Sequence, residues 1–405
     1  MMKRKSITVH PSLKKFVFLV TSLFLFLNSG CLEEIEFQTE TLESALVVSA
    51  TITNESKSQV IVLSKTYAFE TDGPNPETGA TVKVFGDGMV YDFIEIEAGI
   101  YASDIEFAAQ ANVTYQLEIT TQTGEKYTSL TSQLSANTAI DTVYAVRETN
   151  DDGVNGMSIY VDSFDPTGNS KYYRYEYEET YKIVPPSYVP EDLIVVSDCD
   201  VKLVPRAEEE RLCFNTVSSR SFNLTNTKSL NEDRVRRHLV RFVASDNYII
   251  TTRYSILIHQ FVHSEAAYNY FDTLSTFSNE GSLFSQIQPG FLAGNIRSET
   301  NDSETVIGFF DVTSVDSKRI FFSYNDFYPN EPTPPWSVNC TKMAPLQYNQ
   351  FGGCGPLIGG IEANAIVYFK MNNGTIEGDP YIMVSRECGD CTALGTPEVP
   401  EFWID

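Results

Sequence analysis

Short runs of β-branched and aromatic residues, cut at regular intervals by turn formers, constrain this chain most. "ALVVSATI", "QVIVLS", "TVKVF", "MVYDFIEI", "TYQLEITT" and "KYTSL" follow one another between residues 42 and 136, separated by Gly, Asp, Asn and Pro. Each run is too short for an ordinary globular helix, and each has the residue types that fit a pleated, half-buried surface. "GDG" at 86–88 and "TG" at 123–124 supply turn chemistry. Six or seven such strands predict an immunoglobulin-like β-sandwich over 42–136. "TSQLSANTAIDTVYAV" passes from polar to apolar and sets a domain boundary near 136. A chain this long exceeds one ordinary core, so a second domain is expected over 137–405. It too reads as β-rich and antiparallel, with one packed helix near 264–280. There Ser264 is placed to cap, Ala267, Phe271, Leu274 and Ser278 share a stripe, and Gly281 stops the helix.

The N-terminus carries an address. Lys3, Arg4, Lys5, Lys14 and Lys15 precede an apolar segment, Phe16 to Leu27, that is shorter than the roughly 20 residues a spanning helix needs. Small residues Ser29 and Gly30 then lead to Cys31, so residues 1–30 read as a lipoprotein signal peptide and Cys31 as the acceptor of a diacylglyceryl group. Residues 31–41 form an acidic tether, and Glu33, Glu34 and Glu36 in it resemble a signal for export to the cell surface. With the signal removed, 24 basic residues face 54 acidic ones, a net charge of −30. Nucleic acid is thereby excluded as a partner, because phosphate binding needs clustered Lys and Arg.

Six cysteines follow Cys31: Cys199, Cys213, Cys340, Cys354, Cys388 and Cys391. An even number in an exported chain predicts disulfides. Cys199 and Cys213 are 14 apart, as are Cys340 and Cys354, so two local bridges are the simplest pairing, with Cys388 and Cys391 joined to each other. Zinc would need a second ligand pair at knuckle spacing, and a redox dithiol a βαβ setting. Neither is seen, so no metal and no cofactor is expected.

Catalytic signatures are missing as well: no Gly-x-Ser-x-Gly elbow, His-Glu-x-x-His, P-loop or dinucleotide fingerprint occurs. His238, His259 and His263 read as isolated structural residues. "ETNDDGVNG" at 148–156 has alternating oxygen ligands, but Ile159 stands where a calcium loop needs Glu, so it reads as a hairpin tip. In "KYYRYEYEETYKIVPPSYVP", Tyr173, Tyr175 and Tyr177 fall on one face of a strand and Tyr172, Arg174, Glu176 and Glu178 on the other. Three stacked tyrosines make that face the candidate ligand-binding surface, the alternative being a face packed into the core.

Several stretches together resemble the domain-of-unknown-function 4249 family of outer-membrane lipoproteins, from the lipobox to the C-terminus. They include Tyr172-Tyr173-Arg174, the Tyr254-Ser255 strand with the Glu265-Ala266 helix start, Gly294-Asn295, and Cys388-x-x-Cys391 with Pro400, Phe402 and Trp403. The family usually has Arg-Gly-Gly after its second cysteine, where this chain has Ala393-Leu394-Gly395. The resemblance implies a lipoprotein of the outer membrane, exposed at the cell surface and working beside a TonB-dependent transporter in nutrient capture or uptake. It supplies no catalytic residues. A stand-alone ligand-binding or adhesion module is the alternative, and a hydrolase with an unrecognised carboxylate pair a more distant one.

Overall fold

The computed structural model describes residues 45–66, 75–208, 210–279 and 294–405. The signal peptide, Cys31, the acidic tether and Gly281 lie outside the described residues. The chain is mainly β, and the strands form open sheets. Most belong to one long sheet whose continuity rests on a single strand, Ile307–Ser323. Its first half pairs in parallel with the opening strand, Leu46–Thr53, from Val47 opposite Ile307 to Thr53 opposite Thr313. Its second half pairs antiparallel with Arg253–His263, which in turn pairs with Tyr172–Ile183.

Alternation along each strand decides which face is buried. In Leu46–Thr53, Leu46, Val48, Ala50 and Ile52 point inward, and Leu117 and Ile119 do the same further along the sheet. These residues pack into one core with Val82, Val84, Tyr101, Tyr115, Phe310 and Val312. The seven main strands between 46 and 129 are consecutive neighbours in one hydrogen-bonded series, not two facing sheets. This differs from the immunoglobulin-like arrangement, which separates its strands into two sheets. Their apolar faces nevertheless meet, so the sheet bends around its own core. The core also takes Ile296, Val306, Phe310 and Val312 from far beyond residue 136, because the 307–323 strand belongs to both halves of the sheet.

A true sheet-on-sheet packing is found in the other half. Ile140–Thr149, Asn155–Phe164 and Arg234–Ala244 form a separate three-stranded antiparallel sheet. Met157, Ile159, Val161, Val235 and Val243 from that sheet meet Tyr173, Tyr175, Tyr181, Ile256 and Ile258 of the long one in a second core. The helix forms over Glu265–Asn279 and lies against the opposite face, on strands 172–183, 253–263 and 307–323. The Ser264 hydroxyl accepts the Ala267 N–H at 3.1 Å, satisfying one of the free donors at the helix start. Ala267 is buried, and Phe271 and Leu274 are half-buried, along the stripe read from the sequence. Three shorter helices follow at Tyr324–Phe327, Pro356–Glu362 and Arg386–Gly389.

Candidate functional site

Strand 172–183 has two faces with different fates. Tyr173 and Tyr175 are fully buried, at 0% exposure, and Tyr177 packs half-buried beside them. The three-stranded sheet covers this face, so it is part of the core and not a ligand-binding surface. Alternation placed the three rings together, but it does not tell a face open to solvent from one roofed by a second sheet. The two fully buried hydroxyls are used: Tyr173 donates to the Ser170 carbonyl at 2.8 Å and Tyr175 to Gln260 Oε1 at 2.9 Å. Burial pushes both phenols up, with Asp233 adding to the effect at Tyr173. The Arg241 guanidinium lies 5.7 Å from the centre of the Tyr177 ring.

The opposite face holds an ionic network. Arg174 is buried, its guanidinium 4.5 Å from the centre of the Phe261 ring and 4.8 Å from that of Phe271 on the helix. Its Nε donates to His263 Nε2 at 2.9 Å, and a second nitrogen pairs with Glu176. His263 Nδ1 lies 2.5 Å from the carboxylate of buried Asp311. With Nε2 accepting from Arg174, the proton on this ring sits on Nδ1 and is donated to Asp311. Burial pushes the His263 imidazole down, against the pull of Asp311. Burial likewise pushes the Arg174 guanidinium down, against Glu176 and Asp311. The helix and two phenylalanine rings cover Arg174 and His263, while the Glu176 end of the network stays open to solvent, and the covered part fixes the helix on the sheet. Spacing revealed Arg174 and His263 separately; nothing in the sequence signalled Asp311, which the 307–323 strand brings from 48 residues beyond His263.

The other histidines are also held structurally. His259 Nδ1 lies 2.7 Å from the Ser317 hydroxyl, and burial pushes its imidazole down. His238 Nε2 lies 2.6 Å from Asn223 Oδ1, and burial brings its pKa to about 4. At 148–156 the Asn150 side chain accepts the N–H groups of Asp152 and Val154, at 3.1 and 2.8 Å, closing a hairpin. Glu148 turns instead to Tyr160 and Arg237. Among the described residues no group of three or more His, Cys, Asp or Glu side chains is placed to hold a metal ion.

The cysteines correct the expected pairing. The bridges are Cys199–Cys354, Cys213–Cys391 and Cys340–Cys388, spanning 155, 178 and 48 residues. Equal spacing misled because Cys199 and Cys213 sit in different sheets. Cys199 lies in the turn between Glu191–Ser197 and Asp200–Pro205, whereas Cys213 opens a strand of the long sheet, opposite Ile183. Cys388 and Cys391 point into different cores, Cys388 beside Val367 and Val384, Cys391 into the second core with Tyr173, Tyr175 and Tyr181. Two of the bridges therefore fasten the C-terminal segment. Phe214 and Thr396 exchange backbone hydrogen bonds at 2.8 and 2.9 Å, and Trp403 packs edge-on against Phe214 and Phe321. At Gly395 an added Cβ would stand 2.4 Å from the Phe214 carbonyl oxygen, which accounts for glycine there.

Residues 32–319 match the family model described as domain of unknown function (DUF4249). No curated protein matches the chain.

Proposed function

The chain belongs to the domain of unknown function (DUF4249) family, and on that premise we propose that it is an exported, lipid-anchored outer-membrane protein that assists a TonB-dependent transporter in nutrient capture or uptake, without catalysis of its own. The observation that carries this reading is the use of cysteine. Seven cysteines occur, and six pair among themselves in long-range bridges. Such bridges persist in oxidising compartments outside the cytoplasm. Cys31 is left over, at the point where an apolar export segment ends. A lone cysteine there suits a lipid acceptor better than any pairing role.

Anchoring at Cys31 restricts the choice of partner. A tether of roughly ten residues reaches at most about 35 Å, at about 3.5 Å per extended residue, which keeps the protein near the mouths of outer-membrane barrels. With a net charge of −30 on the mature chain, attraction at a distance is screened beyond about 8 Å in physiological salt. Docking on a barrel therefore depends on local apolar contact. Fractionation of cells carrying Cys31→Ser tests the anchor, and co-purification with a transporter tests the partner. A variant that stays in the membrane fraction after a high-salt wash, or a native protein that purifies alone, would count against the reading.

A further inference from the structure

Phe351 is the most exposed large apolar side chain among the described residues, at 87%. Its backbone, in contrast, is tightly held. Asn349 Oδ1 accepts the N–H groups of Phe351 and Gly353 at 2.9 and 3.1 Å, and Asn349 Nδ2 donates to the Cys354 carbonyl at 3.1 Å. The Asn349 N–H donates to the Gly353 carbonyl at 2.8 Å, and Gly352 takes the left-handed turn conformation, φ +82°. The tip is then tied to the 191–205 hairpin. Cys354 is bonded to Cys199, Gln347 Nε2 donates to the Cys199 carbonyl at 3.0 Å, and the Tyr348 hydroxyl donates to Asp200 at 2.9 Å.

Leaving a phenyl group in water forgoes the free energy of burying it. A floppy loop could carry such a ring back onto the protein; here the backbone that bears it is held by Asn349 and the Cys199–Cys354 bridge. Ordering has already been completed before any partner arrives, which is how a fixed aromatic anchor gains affinity.

We propose that this stapled tip is a docking peg, and that its occupant is a protein carrying an apolar pocket bordered by Lys or Arg. Charge decides the class of partner. Residues 343–355 contain no charged side chain, and the turn to which they are tied presents exposed Asp198 and Asp200. Insertion into a bilayer would drag those carboxylates into the headgroup layer, whereas basic residues around a protein pocket would pair with them at close range. The tip lies beyond residue 319, outside the family match, so the inference goes beyond family membership.

The test places a photo-crosslinking benzoylphenylalanine at position 351 in the full-length protein in its native cells, with the same group at exposed Val154 as control. The expected result is one protein adduct at least ten-fold above the control, mapped to an apolar surface flanked by basic residues. The yield should fall with added salt and with D198N/D200N. Phe351→Ala should weaken retention of that protein at least ten-fold while leaving the melting temperature unchanged. A transporter as the adduct supports both readings; any other protein with such a pocket supports the peg and counts against the transporter. Adducts only to lipid, a yield equal to that at Val154, or an acidic partner surface would overturn the peg.

Discussion

Removing the Cys213–Cys391 bridge by the double substitution Cys213→Ala/Cys391→Ala tests the covalent frame directly. With the other two bridges intact, this one closes a covalent path of about 31 residues, through Cys199–Cys354 and Cys340–Cys388, rather than the 178 that separate its cysteines, which corresponds to about 4 kcal/mol in the chain-entropy treatment, against about 3 kcal/mol for the 14-residue loops that sequence spacing suggested. Both cysteines are fully buried, so the variant also loses the packing of two sulfur atoms and the entropic figure is a lower bound. With an unfolding entropy of roughly 2.1 cal/mol/K per residue over about 360 residues, about 4 kcal/mol lowers the melting temperature by about 5 °C. Because the bridge pins the C-terminal segment to strand 213–218, protease should cut near residue 396 in the variant before it cuts the wild type. Differential scanning calorimetry and timed proteolysis read both effects. Non-reducing peptide maps that join Cys213 to Cys199, or a variant that melts with the wild type and resists protease equally, would rule out this bridge as a frame element.

Other perturbations probe the cores, the proton linkage and the anchor. Tyr175→Ala removes a ring with no exposed surface and leaves Gln260 Oε1 without its donor; the expected cost is about 3–5 kcal/mol in denaturant melts, with Tyr175→Phe costing about 1–3 kcal/mol. A value near zero for the alanine variant would contradict a core role. His238 has a pKa near 4 in the folded protein because it is buried, against about 6.5 when unfolded. The unfolded chain therefore binds the proton first, and stability falls as pH drops from about 6.5 towards 4, by on the order of 3 kcal/mol. His238→Gln should flatten that part of the stability–pH curve, and an unchanged curve would remove His238 as its source. Cys31→Ser should move the protein from membranes to the soluble fraction, since each buried methylene of an acyl chain contributes about 0.8 kcal/mol to the anchor.

Local pattern carried much of the fold. The apolar alternation of Leu46–Thr53 and the cap-to-stripe pattern after Ser264 were readable because strand and helix periods depend on neighbours in sequence. What could not be read depends on contacts between distant segments. The parallel pairing of Leu46–Thr53 with the 307–323 strand has no local signature, and it makes one sheet of what pattern alone divides near residue 136. The same gap hid the fate of Tyr173 and Tyr175: the strand pattern fixed that they share a face, while the roof over it comes from residues 140–164 and 234–244. Disulfide partners were the least readable feature, since spacing says nothing of which sheet or core each cysteine enters. Phe351 has no signature of its own, because a single aromatic between Gln350 and Gly352 carries no periodicity; the local signal is Asn349 followed by two glycines beside a cysteine.

That the protein is lipid-anchored at Cys31 and works at an outer-membrane transporter is tested by affinity purification of the native protein from detergent-solubilised outer membrane, with mass spectrometry of the N-terminal peptide and of everything retained. The predicted result is a chain beginning at acylated Cys31 that brings a TonB-dependent barrel with it in near-stoichiometric amount. A chain with its first 30 residues intact, or a mature chain that elutes with no barrel, would contradict the claim.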